Sequence, residues 1–500
     1  MGAGAEVLWM VPAAVFAPLA GGVAAAFSGS WPEARRRALL GTGSVLTLVL
    51  AGSVLARVTA GQEMSVRLVK MTPQVWIHLR VDALGALYGA AAAALWLLAL
   101  VYSFGYMADE HRLPRYYAFF MLSLAWTVGV AYSGNLLTFL VFYELFSILT
   151  YPLVVHEETP EALAAGTKYI VYILIGGSLV LLAIVYTYFL AGGQDIGAPL
   201  FDAAVPRNQL LVVFWCFLAG FGVKAALVPL HGWVPDAHPA APAPFSAVLS
   251  GMMVATGTFG IMRVVFNVFG VRLLAELGVM RVVAGLAAFT VVFAAVLAMH
   301  QDDIKRRLAY STISQMGYVT LGIALLDPLA ATGAIVHVAN HAFMKGALFF
   351  CAGLIIKRMG VRSVSELAGA AKRMPATAAA FALTSLAMIG TPPLAGFVSK
   401  WYLGLGILDS GQVAYIAVLI GGALLAGVYL LPIVYRMYFK EPAPIAAGSP
   451  LAEAGSPEAP ATMLVPLVAA VVLTVALGLC TTPSWSPLQI AKAAAEGFFR

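Results

Sequence analysis

Residues 210–251 read LLVVFWCFLAGFGVKAALVPLHGWVPDAHPAAPAPFSAVLSG, and Lys224 lies in the middle of an apolar run long enough to cross a bilayer. An isolated lysine at the centre of a bilayer costs about 2.5–3.5 kcal/mol on insertion scales. The segment is therefore expected to face a protein interior or a wet cavity. Pro229 then interrupts the far half of the helix, and a broken helix beside a buried charge is typical of a transporter site. The alternative is a lysine that snorkels to the interface from near a helix end.

The composition is that of a membrane protein. Of the 500 residues, 61% are hydrophobic and 10% are charged, whereas soluble domains have about 25% charged residues. The cysteines Cys216, Cys351 and Cys480 are far apart in apolar runs, and no phosphate- or dinucleotide-binding motif occurs. We therefore expect no cofactor and no metal site in this chain. The net charge of +6 arises from the loops, so we expect no nucleic-acid partner.

The apolar runs predict an all-α polytopic fold with about fourteen transmembrane helices, since a span needs about 20 residues. Glu6 precedes the first run and no basic segment does, so we expect no cleavable signal. The runs lie at 7–27, 37–57, 82–105, 115–134, 136–155, 166–191, 209–230, 243–268, 279–300, 308–326, 331–356, 376–398, 412–437 and 462–481.

The charges of the loops predict the orientation. If each loop takes the number of the run before it, the odd-numbered loops hold more Lys and Arg than the even-numbered loops, as in Arg35–Arg37, Lys305–Arg307 and Lys357–Arg362. By the positive-inside rule the odd loops are cytoplasmic. We therefore expect an inner-membrane protein with both termini on the outer side.

A second interrupted run indicates an internal repeat. The twelfth run reads FALTSLAMIGTPPLAGFVSKWYL, with Gly390, Pro392 and Pro393 at the break and Lys400 just beyond. Two broken helices five runs apart suggest two inverted repeats of five helices. The predicted units are three helices in residues 1–114, the repeats in 115–268 and 279–437, and a flexible loop with the last helix in 438–500. That loop, 441–461, is rich in Pro, Ala and Gly.

Glu144 is the acidic candidate of the site. It lies in the fifth run, with Ser147 and Tyr151 at i+3 and i+7 on the same helical face. A lone buried carboxyl group stays neutral unless a cation is near, and Lys224 is the candidate for that cation. The alternative is a neutral carboxyl group that serves as a structural hydrogen-bond partner.

His337, His341 and Lys345 are the basic candidates. They occur at i, i+4 and i+8 in the eleventh run, IVHVANHAFMKGALFFCAG, and so share one helical face. Protonatable nitrogens in close quarters disfavour each other's charge, which suits a proton relay. Two histidines at i, i+4 also suit zinc, but no carboxylate lies on that face. A polar contact between helices is the third interpretation.

The remaining polar residues have more than one interpretation. Lys400 extends the buried chain or snorkels to the interface. Lys168 reaches Glu144 or the lipid headgroups. His231 and His238 flank the broken seventh helix, where they form an outlet or satisfy the backbone.

Six stretches of the sequence resemble the antiporter-like subunits of respiratory complex I, a family that also includes subunits of Mrp cation/proton antiporters and of membrane-bound hydrogenases. The stretches run in the same order and spacing as in that family. They are GYMADEHRLPRYYAFF (105–120), VFYELFSILTYPLV (141–154), PLHGWVPDAHPAAPAPFSAVLSG (229–251), DIKRRLAYSTISQMGY (303–318), HVANHAFMKGALFF (337–350) and GTPPLAGFVSK (390–400).

The resemblance implies fourteen helices with an inverted five-helix repeat. It also implies a proton path across the membrane centre through Glu144, Lys224, Lys345 with its histidines, and Lys400. Many relatives carry a lysine in the eighth helix, where this chain has Ala255, so the central link is expected to use water or His238. The length resembles the M-, N- and D-like members.

Three functions follow. The first is a proton-translocating subunit of a redox-driven, complex I-like complex of the NADH-quinone oxidoreductase or hydrogenase type. The second is a subunit of a Mrp-type Na⁺/H⁺ antiporter, and the third is a structural membrane subunit with a vestigial channel. The expected partners are other membrane subunits, protons and, in the second case, Na⁺.

Overall fold

The computed structural model describes residues 8–72, 75–201, 204–442 and 458–499. Within these residues the chain is a bundle of helices with one small hairpin. The helices are α1 Met10–Ala26, α2 Glu33–Thr59, α3 Ala83–Tyr106, α4 Leu113–Ala131, α5 Leu136–Val154, α6 Pro160–Ala191, α7 Arg207–Lys224, α8 Val234–Ala240, α9 Ala243–Phe269, α10 Val271–Leu277, α11 Met280–Met299, α12 Ile304–Ala324, α13 Pro328–Met359, α14 Pro375–Ile389, α15 Ala395–Asp409, α16 Tyr415–Phe439, α17 Ala461–Leu479 and α18 Pro487–Phe499.

Each predicted apolar run overlaps a helix of the structure. Nine helices in the described ranges are long and apolar enough to cross a membrane, namely α2, α3, α5, α6, α9, α11, α13, α16 and α17. The predicted mostly helical membrane fold is therefore confirmed. Most of the predicted flexible loop, residues 443–457, lies outside the described residues.

Both predicted breaks are present. In the seventh run, helix α7 ends at Lys224, before the run does. The next helix, α8, begins at Val234. The twelfth run is divided into α14 and α15 by residues 390–394. Proline without an N–H cannot continue the ladder of helical hydrogen bonds, so each break leaves backbone carbonyl groups free inside the bundle. The last carbonyl groups of α14, those of Met388 and Ile389, contribute to the site described below.

Several short elements lie outside the predicted apolar runs, among them α8 and α10. An antiparallel hairpin, β1 Met64–Lys70 with β2 Trp76–Val81, follows α2, and the short helix α18 follows α17. The hairpin is fastened to the start of α5, since the backbone N–H of His78 donates to Thr138 Oγ1 (2.9 Å). Both strands are short and partly exposed, which is why a search for long apolar runs misses them.

Loops 2, 4 and 6 meet at the end of the bundle that carries the hairpin. A cavity of about 280 Å³ there is lined by residues of several of these loops and by α18, among them Arg80, Gly134, Gly197, Asn267 and Ala493. A shared end for these three loops is what a chain that crosses a membrane repeatedly requires.

The centre of the bundle is formed by α9 and α13, which are almost wholly buried. Helix α9 contains two wider turns, Leu249–Met253 and Val264–Phe269, and such π-type turns often occur at functional sites. Gly257 of α9 lies against the break after α7, where any Cβ would overlap the backbone of Ala225. The outer helices α16 and α17 expose apolar side chains, as helices that face lipid do.

Candidate functional site

Lys224 is the last residue of α7 and is fully buried. Its Nζ donates to Ser147 Oγ and to Tyr169 OH, both at 3.3 Å. The ammonium group also lies 4.6 Å from the centre of the Phe146 ring. In the described ranges no carboxylate oxygen lies within 4.0 Å of it. The snorkelling alternative is therefore wrong, because the side chain is held inside the bundle by neutral oxygens.

Glu144 lies one turn before Ser147 on α5, on the predicted face. It does not form a direct ion pair with Lys224. One carboxylate oxygen, Oε1, is buried without a hydrogen-bond partner among the described residues. It occupies the space left by Gly177 of α6, where a Cβ would overlap it. The carboxyl group therefore does not touch Lys224, which contacts α5 one turn further on, at Ser147.

The histidines of α13 lie as predicted on one face. Their ring centres are 5.9 Å apart. His337 Nδ1 lies 2.7 Å from Ser399 Oγ of α15, and His341 Nδ1 lies 3.5 Å from the Gly251 carbonyl of α9. Both Nε2 atoms are buried and have no partner within the described part of the chain. Each imidazole therefore has one nitrogen engaged and one free to exchange a proton.

Two more lysines continue the row. Lys345 is fully buried and donates to the Leu308 carbonyl of α12 (3.1 Å). Lys400 is 7% exposed and donates to the last carbonyl groups of α14, those of Met388 (2.7 Å) and Ile389 (2.9 Å). The interfacial alternative for Lys400 is wrong, because it lies inside α15 and caps the broken helix, where a cation is favoured.

The other predicted residues have different roles. Lys168 does not reach Glu144, because its Nζ binds Asp236 at 2.7 Å. His231 lies beside Phe293, with ring centres 5.8 Å apart. His238 is fully buried against Phe349.

Ala255 is fully buried in α9. The neighbouring Thr256 Oγ1 and Tyr88 OH are 2.7 Å apart, so hydroxyl groups are present beside it. The sequence patterns did not single out Tyr169 and Ser399, which bind Lys224 and His337. Each directly adjoins a lysine in the sequence, and that adjacency is the signal by which they could have been found.

The arrangement contains three buried ammonium groups, two buried imidazoles and one carboxyl group. Within the described residues the ammonium groups of Lys224, Lys345 and Lys400 bind only neutral oxygens. A buried charge without a counter-ion is costly. Such a row therefore favours the transfer of a proton from one group to the next over simultaneous charge on all of them.

Comparison with known proteins identifies the class. The family model described as NADH:quinone oxidoreductase/Mrp antiporter, transmembrane, matches residues 133–426. The chain belongs to this family. The predicted class, a proton-translocating antiporter-like membrane subunit, is thereby confirmed.

Two relatives and one solved structure show how far the likeness extends. NADH-quinone oxidoreductase subunit N of Desulforudis audaxviator is 36% identical over 424 residues, or 81% of this chain and 83% of that protein. Hydrogenase-4 component B of Escherichia coli is 34% identical over 371 residues, or 70% of this chain and 53% of that protein, so the match spans about half of that relative. A chain of the Mrp complex from Dietzia sp. DQ12-45-1b has the same fold, with a TM-score of 0.86 at 24% identity and coverage of 99% and 98%.

Proposed function

We propose that this chain moves protons through the buried row as one membrane subunit of a complex I-like assembly of the NADH-quinone oxidoreductase or membrane-bound hydrogenase type. The observation that carries the proposal is the row itself, in which buried lysines are held by neutral oxygens next to imidazoles with one free nitrogen. Other membrane subunits of the assembly are the partners. The likeness to subunit N and to hydrogenase-4 component B supports this choice.

The proposed architecture has fourteen membrane crossings. Residues 1–114 supply three helices, 115–268 and 279–437 supply two inverted five-helix repeats, and 438–500 supply the last crossing. The positions of the two lysines support the repeat. Lys224 ends the first half of one broken helix, and Lys400 caps the end of the first half of the other.

Proton transfer follows the order of the groups. Glu144 and Lys224 form one end, where protonation of one alters the cost of charge on the other. Lys345, His341 and His337 follow along α13, and Lys400 is the last group. Ala255 leaves the central link to His238, to hydroxyl groups such as Thr256, and to water.

A Mrp-type Na⁺/H⁺ antiporter subunit is the second candidate. It is favoured by the full-length likeness in fold to a chain of a Mrp complex. The two candidates differ in Na⁺ dependence and in partners. Proton movement driven by a redox substrate without Na⁺, with iron–sulfur subunits in the purified complex, supports the first. Exchange driven by a Na⁺ gradient supports the second. A structural subunit with a vestigial channel, the third hypothesis, would show neither kind of proton movement.

His341→Ala is expected to slow proton transport and to change its pH dependence, because it removes the imidazole between Lys345 and His337. The measurement is proton uptake by membrane vesicles that contain the full chain with its partner subunits, at matched expression, over a range of pH. His300→Ala is the control, since His300 is exposed. Stoichiometric zinc that is lost in His341→Ala would instead support a metal site.

Both termini are expected on the outer side of the membrane. A cysteine at Glu366, in an odd loop, should be shielded in intact cells from an impermeant thiol reagent, and a cysteine at Ala493 should react. Both positions are exposed. Cys480 is exposed as well, so the background must carry Cys480→Ser. The opposite labelling pattern would reverse the orientation.

A further inference from the structure

A charged cavity of about 930 Å³ opens at the end of the bundle where the odd-numbered loops meet. We call it the vestibule. Its lining includes acidic and basic side chains at or near loops 3, 5, 9 and 11, and the backbone of α8 forms its inner wall. The charged lining residues include Glu110, Glu157, Glu161 and Arg362.

Lys305 lies directly behind the inner wall. Its side chain is 2% exposed, and its Nζ donates to the carbonyl groups of Pro239 (3.4 Å) and Ala241 (2.5 Å). Pro239 itself lines the vestibule. One layer of backbone therefore separates this buried ammonium group from the wet cavity.

His238 lies next to Pro239 and deeper in the bundle. It is fully buried, and neither ring nitrogen has a hydrogen-bond partner in the part of the chain that the structure describes. Buried polar groups without partners are uncommon and call for an explanation. The charged groups that act on this imidazole are Lys305 and Lys345.

We propose that the vestibule is the mouth through which protons reach the buried row, with Glu157 as the group that collects them and Lys305 and His238 as the link to Lys345. This inference rests on the proposed function. Through an intervening water molecule, the ammonium group of Lys305 passes a proton to a ring nitrogen of His238. The neutral amine then takes a proton from the Glu157 carboxyl group through water, and Glu157 is protonated again from the vestibule.

The charges around Glu157 suit this task. Partial burial and the nearby Glu110 raise the pKa of its carboxyl group, while Lys305, His111 and Arg362 act in the opposite direction. A raised pKa brings a carboxyl group closer to neutral pH, where it can both hold and release a proton. Glu161 lines the same cavity but stands in the first turn of α6, and it provides a matched control.

Glu157→Gln is expected to slow proton uptake about tenfold at pH 8 and only about twofold at pH 6, because a collecting group matters most when protons are scarce. Glu157→Asp should retain most of the rate, and Glu161→Gln should match the unaltered chain. The measurement is uptake by vesicles that contain the full assembly, with the vestibule side facing the medium. Equal losses in Glu157→Gln and Glu161→Gln would overturn the assigned role of Glu157.

Lys305→Arg tests the second step. Arginine keeps the charge and the donors for the two carbonyl groups but does not release its proton, so uptake should fall at least about tenfold while assembly is unchanged. Ala164 is exposed at the vestibule. Ala164→Cys in a background without Cys480 should lose uptake after reaction with a bulky impermeant thiol reagent.

The outcomes separate the two proposals. Wild-type uptake in both Glu157→Gln and Lys305→Arg, with Lys224→Ala inactive, would overturn the vestibule as the mouth and leave the proposed function intact. Wild-type uptake in Lys224→Ala would overturn the proposed function, and this inference with it.

Discussion

Lys224→Ala is expected to abolish proton transport without preventing membrane insertion. The substitution removes the ammonium group that contacts Ser147 and Tyr169, so the row loses its link between Glu144 and the centre of the bundle. Alanine is apolar and favours a helix, so α7 should still insert. The measurement is proton uptake in vesicles at matched expression, with Lys372→Ala, an exposed lysine, as the control.

Glu144→Gln is also expected to lower the rate of proton transport. Glutamine keeps the shape beside Gly177 but cannot carry the negative charge, so the cost of a proton on Lys224 changes. Unaltered transport in both Lys224→Ala and Glu144→Gln would contradict the proposal that these two groups act together. Loss in Lys224→Ala alone would assign the transfer to the lysine and a structural role to the carboxyl group.

Lys345→Arg is expected to block transport almost completely. A guanidinium group does not release its proton near neutral pH, so the relay would hold a fixed cation between Leu308 and His341. The loss should be of the order of 100-fold or more, since proton transfer by a positioned group contributes about 10²–10⁴-fold. The measurement is again uptake in vesicles, together with the yield of the intact assembly.

Two controls distinguish loss of the proton relay from other effects of the arginine replacement. Lys372→Arg makes the same replacement at an exposed position and should transport normally. Lys345→Met removes the charge from the buried site and should also be inactive, which separates loss of the relay from the greater bulk of arginine. Full transport by Lys345→Arg at normal yield would contradict a relay through this residue.

The breaks at 225–233 and 390–394 were readable from the sequence because their cause is local. Proline and glycine interrupt a helix wherever they occur, and the placement of Lys224 in an apolar run required a buried environment. The same local logic placed His337, His341 and Lys345 on one face, since helical periodicity alone decides which side chains align.

The partners of the charged groups could not be read in the same way. Lys168 is bound by Asp236, 68 residues away, and Lys400 by carbonyl groups of the preceding helix. The hydropathy of the sequence allowed Lys400 to reach the interface, and only the turn of the chain between α14 and α15 directs it inward. The vestibule was equally invisible, because several separate segments have to meet before it exists.

The sequence by itself therefore determined the membrane class, the long apolar helices, their interruptions and the six ionisable groups of the buried row. These properties depend on residue type and spacing along one segment. A charged residue within an apolar run is easily recognised in the sequence, because burying a charge costs free energy. The tertiary structure alone decided that neutral oxygens hold the lysines, that Glu144 stands apart from Lys224, and that Glu157 and Lys305 lie on the two sides of one wall. Contacts between distant segments depend on the packing of whole helices, which no single segment encodes.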